Sequence, residues 1–236
     1  MTTHEIARRA GAVLLAFLLL ALPACTALQR DLAGVDRGDE PREVLAQAAA
    51  AVRGLRAGPQ GERLDEALAR CRAALVFPDL FKLGVVVAGG GGPGVLMARQ
   101  PDGSFGEPAF FTLSSGGWGA QAGLRRTRLV VLFFSENATR QALQGSLNAA
   151  LEGGLALGPL DASLGVDTAT LTPEAAAFSA SDGLFGGVAL DGQALNIQRS
   201  YNVRYHGNAL HPSEIAALPP RPDPAADALR AALAGR

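Results

Sequence analysis

Arg125, Arg126 and Arg128 stand together immediately before the apolar run Leu129 to Phe134. Guanidinium groups clustered at a strand entrance can hold a phosphate by paired hydrogen bonds. The same groups can equally be solvated strand-end charges paired with local carboxylates, and spacing alone leaves both open. Other chemistry is poorly provided for. A hydrolase needs a nucleophile, a base and an oxyanion cradle. The chain has three histidines, of which His4 lies in the leader described below, and it has no G-x-S-x-G. His206 and His211 lack the cysteine or carboxylate company of a zinc site, which leaves a structural role for His206 and a solvent-facing one for His211. Asp39-Glu40 lies in a tether, where nothing would desolvate a carboxylate for acid–base work.

Two further motifs fall away on context. Gly89, Gly91 and Gly94 satisfy G-x-G-x-x-G by letters, but Pro93 and the residues after it argue for a hairpin or bulge where that motif needs a helix. No lysine follows the glycines, which excludes a P-loop. Cys71 sits in an alanine- and leucine-rich helical stretch without a nearby histidine, so it reads as a buried structural thiol. The chain is therefore read as non-enzymatic, with no cofactor and no metal. A formal net charge of −1 offers no global field to collect nucleic acid, so any anion recognition has to be local.

The elements that must carry the arginines are legible in outline. A hydrophobic fraction of 48% over 236 residues is ample for one core. Pro41 to Ala57 predicts a helix whose Val44, Leu45, Ala48, Val52 and Leu55 share a face. That face is alanine-rich and weak for a bilayer, so the helix is expected to pack on the sheet. After the break at Gly58-Pro59, Arg63 to Ala74 predicts a second helix. The period then changes to strands: Ala74 to Phe77, a bend at Pro78-Asp79, Gly84 to Ala88, Gly94 to Arg99, Pro108 to Leu113, and Gly116 to Leu124 with Trp118. Ser135 predicts an N-cap for a short helix through Leu143. Strand-like pieces lie near Leu155 and Leu164. Ala175 to Ala180 and Leu184 to Leu190 predict a hairpin turning at Ser181-Asp182-Gly183. Asn196 to Arg204 predicts a short helix or irregular return; beyond His211-Pro212 the chain is proline-rich, and the alanine-rich tail from Ala225 is expected to be peripheral. The class is α+β: N-terminal helices packed on a glycine-rich, mainly antiparallel, barrel-like sheet with short helical insertions.

Residues 1–24 read as an export leader. Arg8 and Arg9 precede an apolar run, Ala10 to Leu22, that is short for a membrane span and soon meets a small-residue site. Leu22-Pro23-Ala24-Cys25 has the form of a lipobox, in which cleavage before Cys25 leaves a thiol and an amine for acyl chains, palmitate among them. Several chains, each worth about 0.8 kcal/mol per buried methylene, anchor a protein stably. Thr26, not aspartate, follows the cysteine, so the expected location is the bacterial envelope, on the periplasmic side of the outer membrane.

The glycine-alternating segment Ser179 to Gly192, Leu75-Val76-Phe77-Pro78, the Gly84 to Gly94 run and Tyr205-His206-Gly207 occur in order. Together, over roughly residues 65 to 207, they resemble the SYLF family of lipid-binding domains. The resemblance implies phospholipid binding, clearest in members that bind phosphoinositides and sometimes actin. It also adds Lys82, the chain's sole lysine, which occupies the basic position after the family's Phe-Pro motif. The expected lipid-binding residues are thus Lys82, Arg125, Arg126 and Arg128, with lipidation at Cys25. Asp182 departs from the basic residue that many relatives carry in the serine-glycine turn, which weakens transfer of phosphoinositide specificity. The resulting organisation is a signal peptide over 1–24, a lipidated N-terminus and tether over 25–40, a SYLF-like domain over 41–210 and a proline- and alanine-rich tail over 211–236. The expected function is binding of anionic phospholipid headgroups by a membrane-anchored envelope lipoprotein. The alternative is an envelope scaffold acting through protein partners.

Overall fold

The computed structural model describes residues 40–84, 87–118, 123–146, 155–157, 174–182 and 193–235, with the backbone alone at 82–84, 87–89, 115–118, 123–125, 155–157, 181–182 and 193. These residues fall in one compact unit, Glu40–Arg236. The first helix, α1 (Glu40–Arg56), carries glutamates in its first turn and arginines in its last, which suits the helix dipole. Val44, Leu45, Ala48, Val52 and Leu55 are all buried on one stripe, packed on a sheet as their spacing predicts. A second helix, α2 (Gly61–Arg70), ends earlier than its composition suggests. Arg99 donates to the carbonyls of Leu68 and Cys71 at the end of α2, and Arg72 N donates to Phe133 O, so the chain is drawn into the sheet.

Among the described residues seven strands form that sheet: β1 (Ala73–Gly84), β2 (Val87–Ala98), β3 (Ala109–Trp118), β4 (Gly123–Phe133), β5 (Leu155–Leu157), β6 (Ala175–Asp182) and β7 (Gln193–Ile197). Their order is β5-β6-β4-β1-β2-β3-β7, antiparallel throughout except for the parallel β5–β6 pair. Among the described residues no ladder joins β5 to β7. The α+β class therefore stands, and over the described residues the barrel-like sheet is not closed. Strand alternation distributes the apolar residues to two faces. Val76, Val95, Met97, Phe110, Val130 and Leu132 pack with α1, α2 and α6 (Pro224–Ala234). Leu75, Phe77, Leu96, Phe111, Leu129, Val131 and Phe133 pack with α3 (Glu136–Leu143) and a short helix (Pro212–Ala216). Each such side chain, fully buried, contributes about 1.5–3 kcal/mol of transfer free energy.

The glycine run is strand rather than a turn, and the expected alternative, a bulge, is present where its ladder with β1 shifts register. Gly84 ends β1 and Val87 begins β2, and Gly89 to Gly91 continue through β2 paired with both neighbours, while Gly92 pairs with β3 at the shift in the β1 ladder. Close backbone approach explains the glycines: a Cβ on Gly92 would stand 2.3 Å from Asp79 O, and one on Gly94 would stand 2.3 Å from the Phe77 ring. No phosphate loop is formed.

The Ser135 side chain accepts from Ala138 N and caps α3 as its type predicts. Gln193 to Ile197 form β7 and α4 (Arg199–His206) follows, closed by Gly207 with φ of 77°. In chain order the short helix Pro212–Ala216 is α5. The C-terminal stretch expected to be peripheral is part of the core. Ala226, Leu229, Ala232 and Leu233 of α6 are buried against α1, and the α6 N-cap Asp223 receives Arg42 Nε at 2.9 Å. Alanine-rich faces on both helices allow this approach, which composition alone had suggested was a weak surface. The expected strand near Leu164 and the Leu184 to Leu190 half of the last hairpin lie outside the described residues.

Candidate functional site

The Phe-Pro pair marks a break in β1. Its ladder with β4 shifts register between Phe77 and Leu80, and its ladder with β2 shifts between Val76 and Phe81. Proline lacks the N–H that a ladder uses, so a bulge is where a strand accommodates it. The bulge opens a cleft of about 360 Å³ lined by Gln47, Ala50 and Ala51 of α1, Pro78 and Asp79 of β1, and Arg126, Thr127 and Arg128 of β4.

Arg126 and Arg128 are two residues apart on one strand and therefore share a face. They lie inside β4, which begins at Gly123, not at a strand entrance. Arg126 Nη1 is 3.2 Å from Asp79 Oδ2, with the two side chains 67% and 40% exposed. Such an open ion pair contributes about 0.2–1 kcal/mol. Arg128 runs beside α1: a Cβ on Gly54 would stand 3.4 Å from Arg128 Nη1, an ordinary contact distance. Phe81 pairs in register with Arg126 and is 46% exposed, a large apolar side chain left to solvent that the sequence did not single out.

The structure thus brings two of the four expected lipid-binding residues to one cleft. Lys82 and Arg125 are described by backbone register alone, in which they oppose each other across the β1–β4 ladder. Asp182, the departure from the family's basic residue, holds the register position opposite Arg126 on β6. Cys25 lies outside the described residues.

A second arginine–carboxylate group went unseen in the sequence. Glu107 is buried and accepts four hydrogen bonds, from Arg221 N, Nε and Nη2 and from Arg230 Nη2, at 2.8–3.0 Å. His206 completes it. Pro108 O can only accept, so His206 Nε2 carries the proton at 2.9 Å and Nδ1 accepts from Arg221 Nη2 at 3.0 Å. Burial pushes the His206 imidazole below its ordinary value, outweighing the Pro108 and Glu107 contributions that raise it. The adjacent Tyr205 ring packs 5.5 Å from Phe110, and Arg221 lies 5.8 Å over it. Asn202 in α4 is held by Phe110: its Oδ1 accepts from Phe110 N at 2.7 Å and its Nδ2 donates to Phe110 O. The Tyr205-His206-Gly207 motif is thereby a clamp that fastens α4 and the C-terminal segment to β3. Only its aromatic–histidine–glycine signature was readable beforehand.

The remaining titratable candidates are structural. His211 is exposed and caps α5, its Nδ1 accepting from Ser213 N while its own N donates to Glu214. Cys71 is buried, and burial pushes its thiol up despite the nearby Arg99, so it stays protonated. No helix among the described residues is long and apolar enough to cross a membrane.

Residues 114–236 match the family model described as "Las17-binding protein actin regulator", Ysc84. Protein YSC84 of Saccharomyces cerevisiae is 29% identical over 69% of this chain and 36% of its own length. SH3 domain-containing YSC84-like protein 1 is 30% identical in Xenopus laevis, over 64% of this chain and 46% of that protein. In Homo sapiens it is 32% identical, over 56% of this chain and 39% of that protein. The chain thus spans less than half the length of these relatives. With the family model covering over half its residues and the Phe-Pro bulge and Tyr-His-Gly clamp both formed, the chain belongs to the SYLF, or Ysc84, family.

Proposed function

We propose that this chain binds membrane phospholipid without catalysis, taking a headgroup phosphate into the cleft between α1 and the β1 bulge. The observation that carries the reading is the placement of Arg126 and Arg128 on one wall of that cleft, with Arg126 two-thirds exposed and Phe81 open beside it. Guanidiniums grip phosphate oxygens, and an exposed aromatic ring gains by entering the apolar boundary below a headgroup. Lys82 and Arg125, opposed across the same ladder, extend the basic register toward the end of β1. The lipobox residues support a lipid anchor on Cys25, on the periplasmic side of the outer membrane, which would hold the domain near its ligand.

Cosedimentation of a Cys25→Ser chain with phosphatidylglycerol-containing vesicles tests this. Each arginine near an anionic surface is worth about 1 kcal/mol, so Arg126→Ala with Arg128→Ala lowers binding roughly thirtyfold, and added salt weakens binding in the parent. Undiminished binding by the double variant overturns the reading. Mass spectrometry of the native chain tests the anchor, which an unmodified Cys25 would remove.

A second reading is favoured by the description of the matching family model as an actin regulator that binds Las17. On it the chain is an envelope scaffold acting through a protein partner. It predicts equal sedimentation with all vesicles and a single recoverable crosslinked partner.

A further inference from the structure

We infer that the cleft selects a phosphodiester carrying a primary ammonium, the headgroup chemistry of phosphatidylethanolamine, over a headgroup offering negative charge alone. This rests on the lipid-binding reading above and narrows it. The cleft is dipolar. Arg126 and Arg128 stand on the β4 wall, and the Asp79 carboxylate stands on the β1 wall, 3.2 Å from Arg126 and 40% exposed.

The Asp79 backbone is held at the cleft wall, so its carboxylate stays within reach of whatever takes Arg126. Pro78 fixes the backbone before it, and Gly92 of β2 packs so closely that a Cβ there would meet Asp79 O at 2.3 Å. A phosphate that takes Arg126 therefore strips Asp79 of its partner and leaves two like charges facing each other. A headgroup that brings its own ammonium replaces one ion pair with two: phosphate on the arginines and ammonium on Asp79. Gln47 adds an acceptor on the α1 wall, since its amide nitrogen already donates to Glu43 at 2.9 Å and leaves its oxygen for an N–H donor. A choline headgroup has the charge but no N–H, so it meets neither acceptor with a hydrogen bond. The volume of about 360 Å³ lies at the small end of ligand pockets, roughly 300–1,000 Å³, and suits a headgroup more than a whole lipid.

The test compares the Cys25→Ser chain on three vesicles: phosphatidylcholine alone, and phosphatidylcholine with an equal part of either phosphatidylethanolamine or phosphatidylglycerol. Binding through the apolar leader is common to all, so ratios between vesicles are read. The parent favours the ethanolamine vesicle over both others by roughly two- to fivefold, the scale of one exposed ion pair. Asp79→Asn, nearly isosteric and on the surface, abolishes that preference and raises binding to the phosphatidylglycerol vesicle. A parent that prefers phosphatidylglycerol, or an ethanolamine preference unchanged by Asp79→Asn, overturns the inference. Those results leave the lipid-binding reading standing provided Arg126→Ala with Arg128→Ala still weakens binding to every vesicle. If the double variant binds all three as the parent does, both fall.

Discussion

Two groups in this molecule contain the same parts, one carboxylate and two arginines, and differ in almost everything else. Around Glu107, Arg221 and Arg230 supply four hydrogen bonds to a carboxylate with no solvent exposure. Around Asp79, Arg126 makes one contact at 3.2 Å with both side chains open, and Arg128 lines the same cleft. The first group holds together segments more than a hundred residues apart, because removing water from a charge is tolerable only when every lone pair is met. The second is open to solvent at its Arg126–Asp79 pair, so a ligand phosphate can compete for Arg126 at small cost. Composition cannot separate an arginine that fastens the fold from one that binds. Burial and saturation of the partner carboxylate do.

This contrast can be broken most sharply at Glu107. Glu107→Gln leaves the part-buried Arg230 facing a neutral amide, and breaking a buried pair costs about 3–5 kcal/mol. The urea midpoint should fall accordingly, and a loss no larger than that of a surface substitution would equate the two groups. Acidification is the next lever. The folded His206 sits below its ordinary value of 6.5. As pH falls through 6.5 the unfolded chain therefore takes up a proton that the folded chain refuses, and stability drops until the folded imidazole also titrates. Thermal melting between neutral and mildly acid pH should show this slope, flattened in His206→Gln; an unchanged slope would remove His206 from the clamp. The smallest effect belongs to Asp79→Asn, which loses an exposed pair and should lower the unfolding free energy from urea titration by less than about 1 kcal/mol. A larger loss would make the cleft structural.

Much of the fold was legible because its signals are local. The apolar stripe of α1, the Ser135 cap and the change of period near Ala74 each depend on neighbours a few residues away. The sequence also pointed to Arg126 and Arg128, but not to the carboxylate beside them. Asp79 reads as a turn residue until the β1–β4 register carries it to Arg126. The Glu107 cluster was invisible for the same reason, since its members lie as much as 123 residues apart and no period connects them. The turn half of the glycine-run reading failed for a different reason, while the bulge half stands. Glycine clusters mark turns when nothing crowds them, but here the crowding comes from Asp79 and Phe77 on the neighbouring strand. The peripheral reading of the last residues failed because alanine-rich faces look feeble singly and pack closely in pairs.

The docking of α6 on α1 has a consequence for biosynthesis. The first described helix is covered partly by the sheet and partly by α6, so a growing polypeptide that has laid Val44, Leu45, Val52 and Leu55 on the strands still leaves the α6-facing side of α1 open until residues 224–234 have been made. A product stopped short of Pro224 would keep that side of α1 exposed as an apolar patch.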